Sequence, residues 1–378
     1  MKEFVQKNKE HMFTIMQELC MLPAPSHFEQ KRAAYCKAWL EEAGATGAYI
    51  DEACNVIYPL GCENSREITV FSAHTDTVFE DKEPMPYHDD GTNIHAPGAG
   101  DNTASVVVLL LMARYFIENR IMPSRGILFV FNACEEGLGN LKGMKHLFSS
   151  YQGRIKQLIA FDSRLNIVHD RCVGSERFLV EVNTVGGHSY NDFGHANAIE
   201  VLSGLVNQIY TIQVPEKAGT KTTYNVGTLH GGTSVNSIAQ HAEMLCEYRS
   251  DDRECLAYMR RRFEEIFRQA ERRGVQITIK EVGARPCAEV EPEKMEALKR
   301  LVVPVIEKAI GEAVTLTSAS TDCNIPLSLG VPALCVGVSQ YEGMHTREEY
   351  VVKESMERGL YMALTLGKAI TELENGAG

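Results

Sequence analysis

An imidazole and a carboxylate stand two positions apart in AHTDTVF, where His74 and Asp76 follow the apolar run EITVFSA. A strand carries residues i and i+2 on the same face, so the two side chains should lie side by side where this strand ends. Such a pair is costly to bury and useful at a site. The spacing therefore indicates candidate functional residues.

Acidic and imidazole groups also follow three other apolar runs. GILFVFNA leads to Glu135 and Glu136, IKQLIAF leads to Asp162, and ALCVGV leads through a loop to His345. The loop HAPGAGDNTAS brings Asp101 just ahead of a long helix. Because ligands of an open α/β sheet gather beyond the carboxyl ends of its strands, we expect these groups to lie at one edge.

Each piece of this constellation is weak alone. A lone H-x-D occurs by chance, Glu-Glu is common in solvated turns, and Asp101 could simply cap a helix that starts at Asn102. Together, five carboxylates and two histidines at one edge would repel one another without cations between them. Nitrogen and oxygen ligands without thiolate favour zinc, with cobalt or manganese as alternatives.

The elements that must position these groups alternate between strands and helices. NVIYPL, EITVFSA, GILFVFNA, IKQLIAF and ALCVGV have the composition of strands buried on both faces of a sheet. Helical patterns cover residues 4–22, a stretch from Ser26 as N-cap to Gly44, and residues 102–119 and 293–310. This order predicts an α/β architecture.

The middle of the chain has a different order. RFLVEVNTV, a helix from about His195 to Tyr210, TTYNVGTLHGG, AEMLCEYRS, a charged helix from about Arg253 to Arg273 and VQITIKEV form a β-α-β-β-α-β series. This is the order of a ferredoxin-like unit. Since 378 residues exceed one ordinary core of about 100 to 200, we predict a domain at 172–286 inserted into one made of 1–171 and 287–378.

Composition excludes several classes of function. The net charge, 38 minus 50, is −12, which disfavours nucleic acid and anionic membrane surfaces as partners. The strongest apolar run, residues 106–113, is well short of the roughly 20 that a membrane helix needs, and the first residues lack the apolar core of a secretory signal. Eleven cysteines without a C-x-x-C fit a reducing compartment. We expect a soluble cytoplasmic protein.

These residues resemble the motifs of the M20 metallopeptidases over essentially the whole chain. The motifs are HTDT at 74–77, GAGDN at 98–102, CEEG at 134–137, FDS at 161–163, GGHS at 186–189 and GMHTREEYV at 343–351. The resemblance implies a mixed, mostly parallel sheet flanked by helices, two zinc ions, and an inserted lid or dimerisation domain. It also implies that Asp101 bridges the two metals, with His74 and Asp162 completing one site and Glu136 and His345 the other.

Two acids are then left for chemistry. Asp76 can accept the imidazole N–H of His74 and fix its tautomer, as metal-bound histidines usually require. Adjacent residues cannot point the same way, so when Glu136 binds metal its neighbour Glu135 can face the metal-activated water. We predict hydrolysis of an amide bond with Glu135 as general base.

Three residues of the inserted domain enter through the resemblance alone. It implies that His188 reaches the active site of a partner subunit, so we expect a homodimer, and that Asn236 and Arg249 contact the substrate carbonyl and carboxylate. The forked, permanently charged side chain of Arg249 suits a terminal carboxylate. His188 could instead be an ordinary turn histidine, and Arg249 a surface ion pair. The nine other histidines are predicted to be structural or on the surface.

The substrate class depends on Asp162. The resemblance implies that aminopeptidases and dipeptidases tend to have Asp here, whereas deacylases and carboxypeptidase-type members tend to have Glu. We therefore predict a di- or tripeptidase of the peptidase T-like or dipeptidase-like branch, with an N-acyl amino acid deacylase as the alternative. A binding protein that lost catalysis is disfavoured because the ligand positions and Glu135 are present.

Overall fold

A computed structural model describes residues 1–63, 65–271 and 275–375 of the chain. The chain divides into two compact units. The first unit combines Met1–Cys172 with Glu289–Gly378, and the second is Val173–Ala288. Their boundaries lie within two residues of those that the sequence predicts.

The first part of the first unit starts with two helices and then alternates between strands and helices. Its helices are α1 (Lys2–Cys20), α2 (Gln30–Glu42), α3 (Ala104–Glu118) and α4 (Lys142–Ser150). Its strands are β1 (Tyr49–Ile50), β2 (Val56–Leu60), β3 (Ile68–His74), β4 (His88–Asp89), β5 (Asn93–His95), β6 (Gly126–Asn132), β7 (Ile155–Phe161) and β8 (Ile167–Cys172). A π-helical turn, Ala99–Thr103, and a 3₁₀ turn, Gly137–Gly139, precede α3 and α4.

The second unit and the return to the first unit complete the described elements. The second unit contains β9 (Gly174–Asn183), β10 (Gly187–His188), α5 (Ala198–Ile209), β11 (Thr222–Gly231), β12 (Ser237–Ile238), β13 (His241–Ser250), α6 (Arg253–Glu271) and β14 (Gln276–Arg285). The first unit resumes with α7 (Pro292–Ile310), β15 (Thr315–Ala319), α8 (Asn324–Ser328), β16 (Ala333–Val336), β17 (Tyr341–Glu342), β18 (Tyr350–Val352) and α9 (Lys353–Asn375).

An eight-stranded sheet forms the centre of the first unit, in the order β1-β2-β6-β3-β7-β16-β8-β15. Parallel pairs join β3 to β6 and β7, β7 to β16, and β8 to β15. Antiparallel pairs join β1 to β2, β2 to β6, and β16 to β8. The predicted α/β fold with a mixed, mostly parallel sheet is confirmed.

Burial explains why the central strands carry continuous apolar runs. Every residue of β3 and β6 is buried, as strands covered on both faces require. The 20-residue segment Ala99–Glu118 is long and apolar enough to cross a membrane by length and composition, but 83% of its most apolar window is buried inside the protein. Its apolar side chains are therefore those of a core helix.

Two helix starts differ from the sequence prediction. Helix α2 begins at Gln30 rather than after Ser26, because the Ser26 hydroxyl is bonded to the distant Asp76. Helix α3 begins at Ala104, and Asp101 lies before it with non-helical φ and ψ of −113° and 89°. Asp101 is therefore not the cap of a helix that starts at Asn102.

The second unit has the predicted β-α-β-β-α-β order in β9, α5, β11, β13, α6 and β14. Its antiparallel sheet has the order β11-β13-β9-β14. Side chains of α5 and α6 pack on one face of this sheet, in a core that includes Val180, Leu202, Met244 and Phe263. The predicted end of the charged helix at Arg273 lies outside the described residues.

Candidate metal centre and active site

Parallel pairing brings the predicted groups of the first unit together. His74 is the last residue of β3 and stands in register with Asn132, the last residue of β6. Glu135 and Glu136 follow β6 within four residues, and Asp162 directly follows β7 on the other side of β3. Neighbouring parallel strands end at the same edge, so the strand-end groups meet there.

Asp101 lies between the two histidines. Its Oδ1 is 3.0 Å from Nε2 of His74, and its Oδ2 is 3.0 Å from Nε2 of His345. Each oxygen of one carboxylate thus faces a different imidazole. This is the arrangement expected of a ligand shared by two cations.

Two other contacts test whether a metal ion fits. Nε2 of His74 lies 3.7 Å from Oδ1 of Asp162, and Nε2 of His345 lies 3.4 Å from Oε1 of Glu136. Ligand atoms of a tetrahedral zinc ion with bonds of about 2.0 to 2.2 Å stand about 3.3 to 3.6 Å apart. The Oε1 atom of Glu136 is buried and makes no well-formed hydrogen bond among the described residues. The donor set therefore fits divalent cations.

Glu135 and Glu136 belong to different groups, as their adjacency predicts. Ligand atoms of His74, Glu135 and Asp162 all lie within 4.8 Å of one another, and so do those of His74, Asp101 and Glu136. Both glutamates are buried. The carboxylate of Glu135 therefore reaches the same space as the ligands of one predicted metal site.

The carboxylate of Asp76 has a different partner from the one predicted. Nδ1 of His74 lies 3.0 Å from the backbone oxygen of Asp76 and 3.5 Å from its Oδ1, so the carbonyl is the nearer acceptor. The carboxylate accepts the backbone N–H groups of Glu135 at 3.0 Å and Glu136 at 2.9 Å, and the Ser26 hydroxyl at 2.6 Å. Because β3 ends at His74, the alternation of a strand no longer applies at Asp76.

The electrostatics of this centre are those of crowded acids. Burial is the largest influence on His74 and lowers its pKa, but Asp162, Asp101 and Asp76 together outweigh it and raise the pKa well above its usual value. Hydrogen bonding to Asp101 raises the pKa of His345 to about 10. Burial, reinforced by Asp101, raises the pKa of Glu136 to about 8. The metal-free centre therefore holds protons that bound cations would displace.

Sequence reasoning missed a set of supports that lie after α1 and in the first turn of α2. The Ser26 hydroxyl bonds to Asp76, and Oε1 of the buried Glu29 accepts the backbone N–H of Cys134 at 3.0 Å. The guanidinium of the buried Arg32 donates to the carbonyls of Leu22 at 2.8 Å and Thr75 at 3.0 Å. The only available signal is that polar residues cluster at the PAPSHFEQKR break.

Asp322 is another buried acid that sequence reasoning missed. Its Oδ2 accepts the side-chain N–H of Asn132 at 2.6 Å, and its Oδ1 has no hydrogen-bond partner among the described residues. Burial first, and then the charge of Glu135, raise its pKa well above the usual value. The polar run STDCN ahead of an apolar segment could have indicated it.

The three candidate residues of the second unit do not lie together. His188 pairs with Ser237 across β10 and β12, and the N–H of Ser189 donates to the carbonyl of Asn236 at 3.0 Å, so His188 and Asn236 are neighbours. Arg249 stands opposite Ser175 at the start of β9, whereas His188 follows the end of that strand. A ten-residue strand spans about 30 Å.

Arg249 and His188 also have local partners. Nε and Nη2 of Arg249 donate to the two carboxylate oxygens of Glu247 at 2.7 and 3.0 Å. The backbone N–H of His188 donates to Asp192 at 2.7 Å, and its Nδ1 accepts the N–H of Tyr190 at 3.3 Å. The ion pair and the turn that the sequence left open are thus both present within this unit.

Comparisons with known proteins identify the family of the chain. The sequence model of peptidase family M20/M25/M40 matches residues 70–368. A Peptidase M20 domain-containing protein of Schizosaccharomyces pombe is 26% identical over 192 residues, which is 50% of this chain and 46% of that protein. The chain thus matches about half the length of this curated relative.

Solved structures show the same fold. A tripeptidase from Staphylococcus aureus has a TM-score of 0.77 at 20% identity, covering 97% of this chain and 99% of that chain. A dinuclear metal binding peptidase from the M20 family, from Bacillus subtilis, has a TM-score of 0.64 at 14% identity, covering 98% and 100%. The family match and the histidine–carboxylate groups support divalent metal ions as cofactors. The chain therefore belongs to peptidase family M20/M25/M40.

Proposed function

We propose that this protein is a two-metal peptidase that cleaves di- or tripeptides, with Glu135 as its general base. The observation that carries the proposal is the position of Asp101, whose two oxygens each lie 3.0 Å from a different imidazole. His74 and Asp162 would complete one cation site, and Glu136 and His345 the other. Zinc suits this set of imidazole and carboxylate donors, with cobalt or manganese as alternatives.

The chain's own groups then have separate tasks. Bound divalent ions would polarise the scissile carbonyl and lower the pKa of a water molecule. Glu135 would take a proton from that water and deliver it to the leaving amine. Its backbone N–H is held by Asp76 at 3.0 Å, which limits the positions that its carboxylate can reach.

The choice of small peptides rests on Asp162 and on one structural relative. By resemblance to the family, an Asp at position 162 is typical of aminopeptidases and dipeptidases, whereas deacylases tend to have Glu there. The S. aureus relative with the same fold is a tripeptidase, although 20% identity shows only the fold. Deacylation of N-acyl amino acids is the competing activity, and the substrate test decides between them.

The test is a panel of free di- and tripeptides measured against N-acetyl and N-succinyl amino acids, with zinc, cobalt or manganese added to metal-free protein. We expect peptides to give the higher kcat/KM. A strict preference for acylated amino acids would contradict the peptidase assignment and leave the family unchanged.

Metal stoichiometry is the second test, and it needs a control for surface binding. Glu181, His241 and Glu243 form a third group whose ligand atoms lie within 4.8 Å of one another, on the face of the second unit's sheet that is away from its core. We therefore expect two tightly bound ions in both the parent protein and His241→Ala. Loss of one ion in His241→Ala would place that ion outside the proposed centre.

We also propose a cytoplasmic homodimer in which His188 serves the partner's centre, while Asn236 and Arg249 contact the substrate. His188 and Arg249 stand at opposite ends of β9, so two copies of the second unit could supply one substrate with both. Mixing His188→Ala with Glu135→Gln subunits tests this, because heterodimers would contain one complete centre. We expect the mixture to recover activity. An inactive mixture would assign His188 to the centre of its own subunit or to a structural role.

A further inference from the structure

Glu349 is a buried carboxylate that holds the loop carrying Asp101. Its Oε2 accepts the backbone N–H of Gly98 at 2.8 Å, and its Oε1 accepts those of Gly100 at 2.7 Å and Asp101 at 2.8 Å. Its exposed fraction is only 1%. Three backbone donors thus converge on one side chain that lies about 250 residues further along the chain.

The π-helical turn Ala99–Thr103 in this loop departs from regular helical geometry. Gly98 adopts a left-handed φ of 74°, and a Cβ at Gly100 would lie 2.3 Å from the ring of Tyr341. Asp101 lies outside helical φ and ψ, so its N–H is not part of an α-helical hydrogen-bond series. The N–H groups of such a loop need an acceptor, and a buried carboxylate needs donors. Glu349 satisfies both requirements.

The same residue is fixed at the base of the turn that carries His345. The backbone N–H of Ala96 donates to the carbonyl of Glu349 at 3.1 Å, and the turn closes through Thr346 N–H to the Gly343 carbonyl at 2.9 Å. A Cβ at Gly343 would lie 3.1 Å from the Cα of Glu349. The backbone of Glu349 therefore belongs to the segment that carries His345, while its side chain holds the loop that carries Asp101.

We propose that Glu349 is a positioning residue that keeps Asp101 between His74 and His345 and thereby sets the affinity of both metal sites at once. The inference rests on the bridging role proposed for Asp101. A shift of the Asp101 backbone would change both of its 3.0 Å contacts together, because the two contacts use the two oxygens of one carboxylate.

The test compares two buried carboxylates. Glu349→Gln keeps the size of the side chain but puts an NH₂ group against backbone donors. Glu176→Gln is the matched control, because Glu176 is 4% exposed and bonds to Tyr248 and Arg260 in the second unit. Chelator competition on the folded, initially metal-free proteins gives the affinity for each ion.

We expect Glu349→Gln to bind both ions about 10- to 100-fold more weakly, the range typical of residues that orient metal ligands. Glu176→Gln should keep the parent affinity even where its Tm falls. A purely structural role for Glu349 would lower Tm in the same way and leave the affinities unchanged. Asp162→Asn provides a contrast, since it should weaken mainly one ion.

Glu349→Asp covers the case in which Glu349→Gln does not fold. Its side chain keeps the charge but is too short to reach all three donors, so the affinities for both ions should fall below those of the parent. Parent affinity in the folded variant, or weakening of one ion alone, would overturn the proposal. A parent protein that binds two ions but cleaves no peptide would instead contradict the proposed function.

Discussion

The carboxylate of Asp76 accepts the backbone N–H of Glu136 at 2.9 Å. Asp76 lies just past the end of β3, and it thereby holds a residue that lies just past the end of the neighbouring strand β6. The second oxygen accepts the N–H of Glu135 at 3.0 Å. Burial is the largest influence on Asp76 and raises its pKa, but His74, the Ser26 hydroxyl and the N–H of Glu136 together lower it below the usual value. Asp76 is therefore a charged anchor for the two glutamates.

Replacing this anchor should loosen the metal centre. In Asp76→Asn an NH₂ group would face one of the two backbone donors, so one glutamate would lose its acceptor. We expect metal affinity to fall about 10- to 100-fold, with kcat/KM reduced even at saturating metal. Ser26→Ala is the control, since it removes a hydroxyl bond to the charged carboxylate worth about 1.5 to 3 kcal/mol and keeps both backbone bonds. Equal affinities in Asp76→Asn and the parent would contradict this role.

Removing the base should separate catalysis from metal binding. Glu135→Gln keeps the shape of the side chain and its backbone bond to Asp76 but cannot accept a proton. We expect kcat to fall about 10²- to 10⁴-fold while two ions stay bound. Metal analysis of the assayed sample provides the check. A variant that lost one ion would show that Glu135 is a ligand, which its group with His74 and Asp162 would then explain.

Residues that end buried strands could be predicted from the sequence because the signal is local. An apolar run such as EITVFSA marks a central strand, and a polar residue such as His74 marks its end. Parallel strands then bring their ends together without further information. Strand ends and motifs together predict one set of groups, and the structure places its members side by side: His74, Asp101, Glu135, Glu136, Asp162 and His345.

The supports of these groups could not be predicted because their partners are remote. A serine before a helix is normally a cap, yet the Ser26 hydroxyl bonds to Asp76, 50 residues away. Glu349 lies inside the motif GMHTREEYV, but its three partners lie 248 to 251 residues earlier. Local propensity is silent about such bonds, since tertiary contact decides them. The small strands β17 and β18 were missed because they are too short to show alternation.

The buried guanidinium of Arg32 should stabilise the first unit. It donates to the Leu22 and Thr75 carbonyls and to the Thr103 hydroxyl, so it ties the break after α1 to the segments beside the centre. Arg32→Met should lower the free energy of unfolding by about 3 kcal/mol, because hydrogen bonds from charged donors are each worth about 1.5 to 3 kcal/mol. Urea unfolding measures this free energy. As a control, Arg66→Met, at an exposed arginine, should change the free energy of unfolding by less than about 0.5 kcal/mol.

The metal-free protein should lose stability as the pH rises from about 5 to 9. The pKa of Glu136 is raised to about 8, mainly by burial, and that of His345 to about 10, mainly by its bond to Asp101. A raised pKa means that the folded state binds the proton more tightly than the unfolded state, so the stabilisation is complete below the unfolded pKa and disappears above the folded one. The unfolded values are near 4.5 for Glu136 and 6.5 for His345. Stability is therefore lost between pH 4.5 and about 8 through Glu136 and between pH 6.5 and about 10 through His345.

Metal binding should reverse this dependence, because metal ligands must be deprotonated. At pH 7 the metal-free centre holds protons on both Glu136 and His345, and bound ions would displace them. Calorimetric titration with zinc in two buffers of different ionisation enthalpy should therefore show net proton release at pH 7. His345→Ala should release fewer protons, whereas His95→Ala, which removes an imidazole paired with Asp90 at 3.0 Å, should match the parent. Zinc binding without proton release would mean that the ions do not bind to Glu136 and His345.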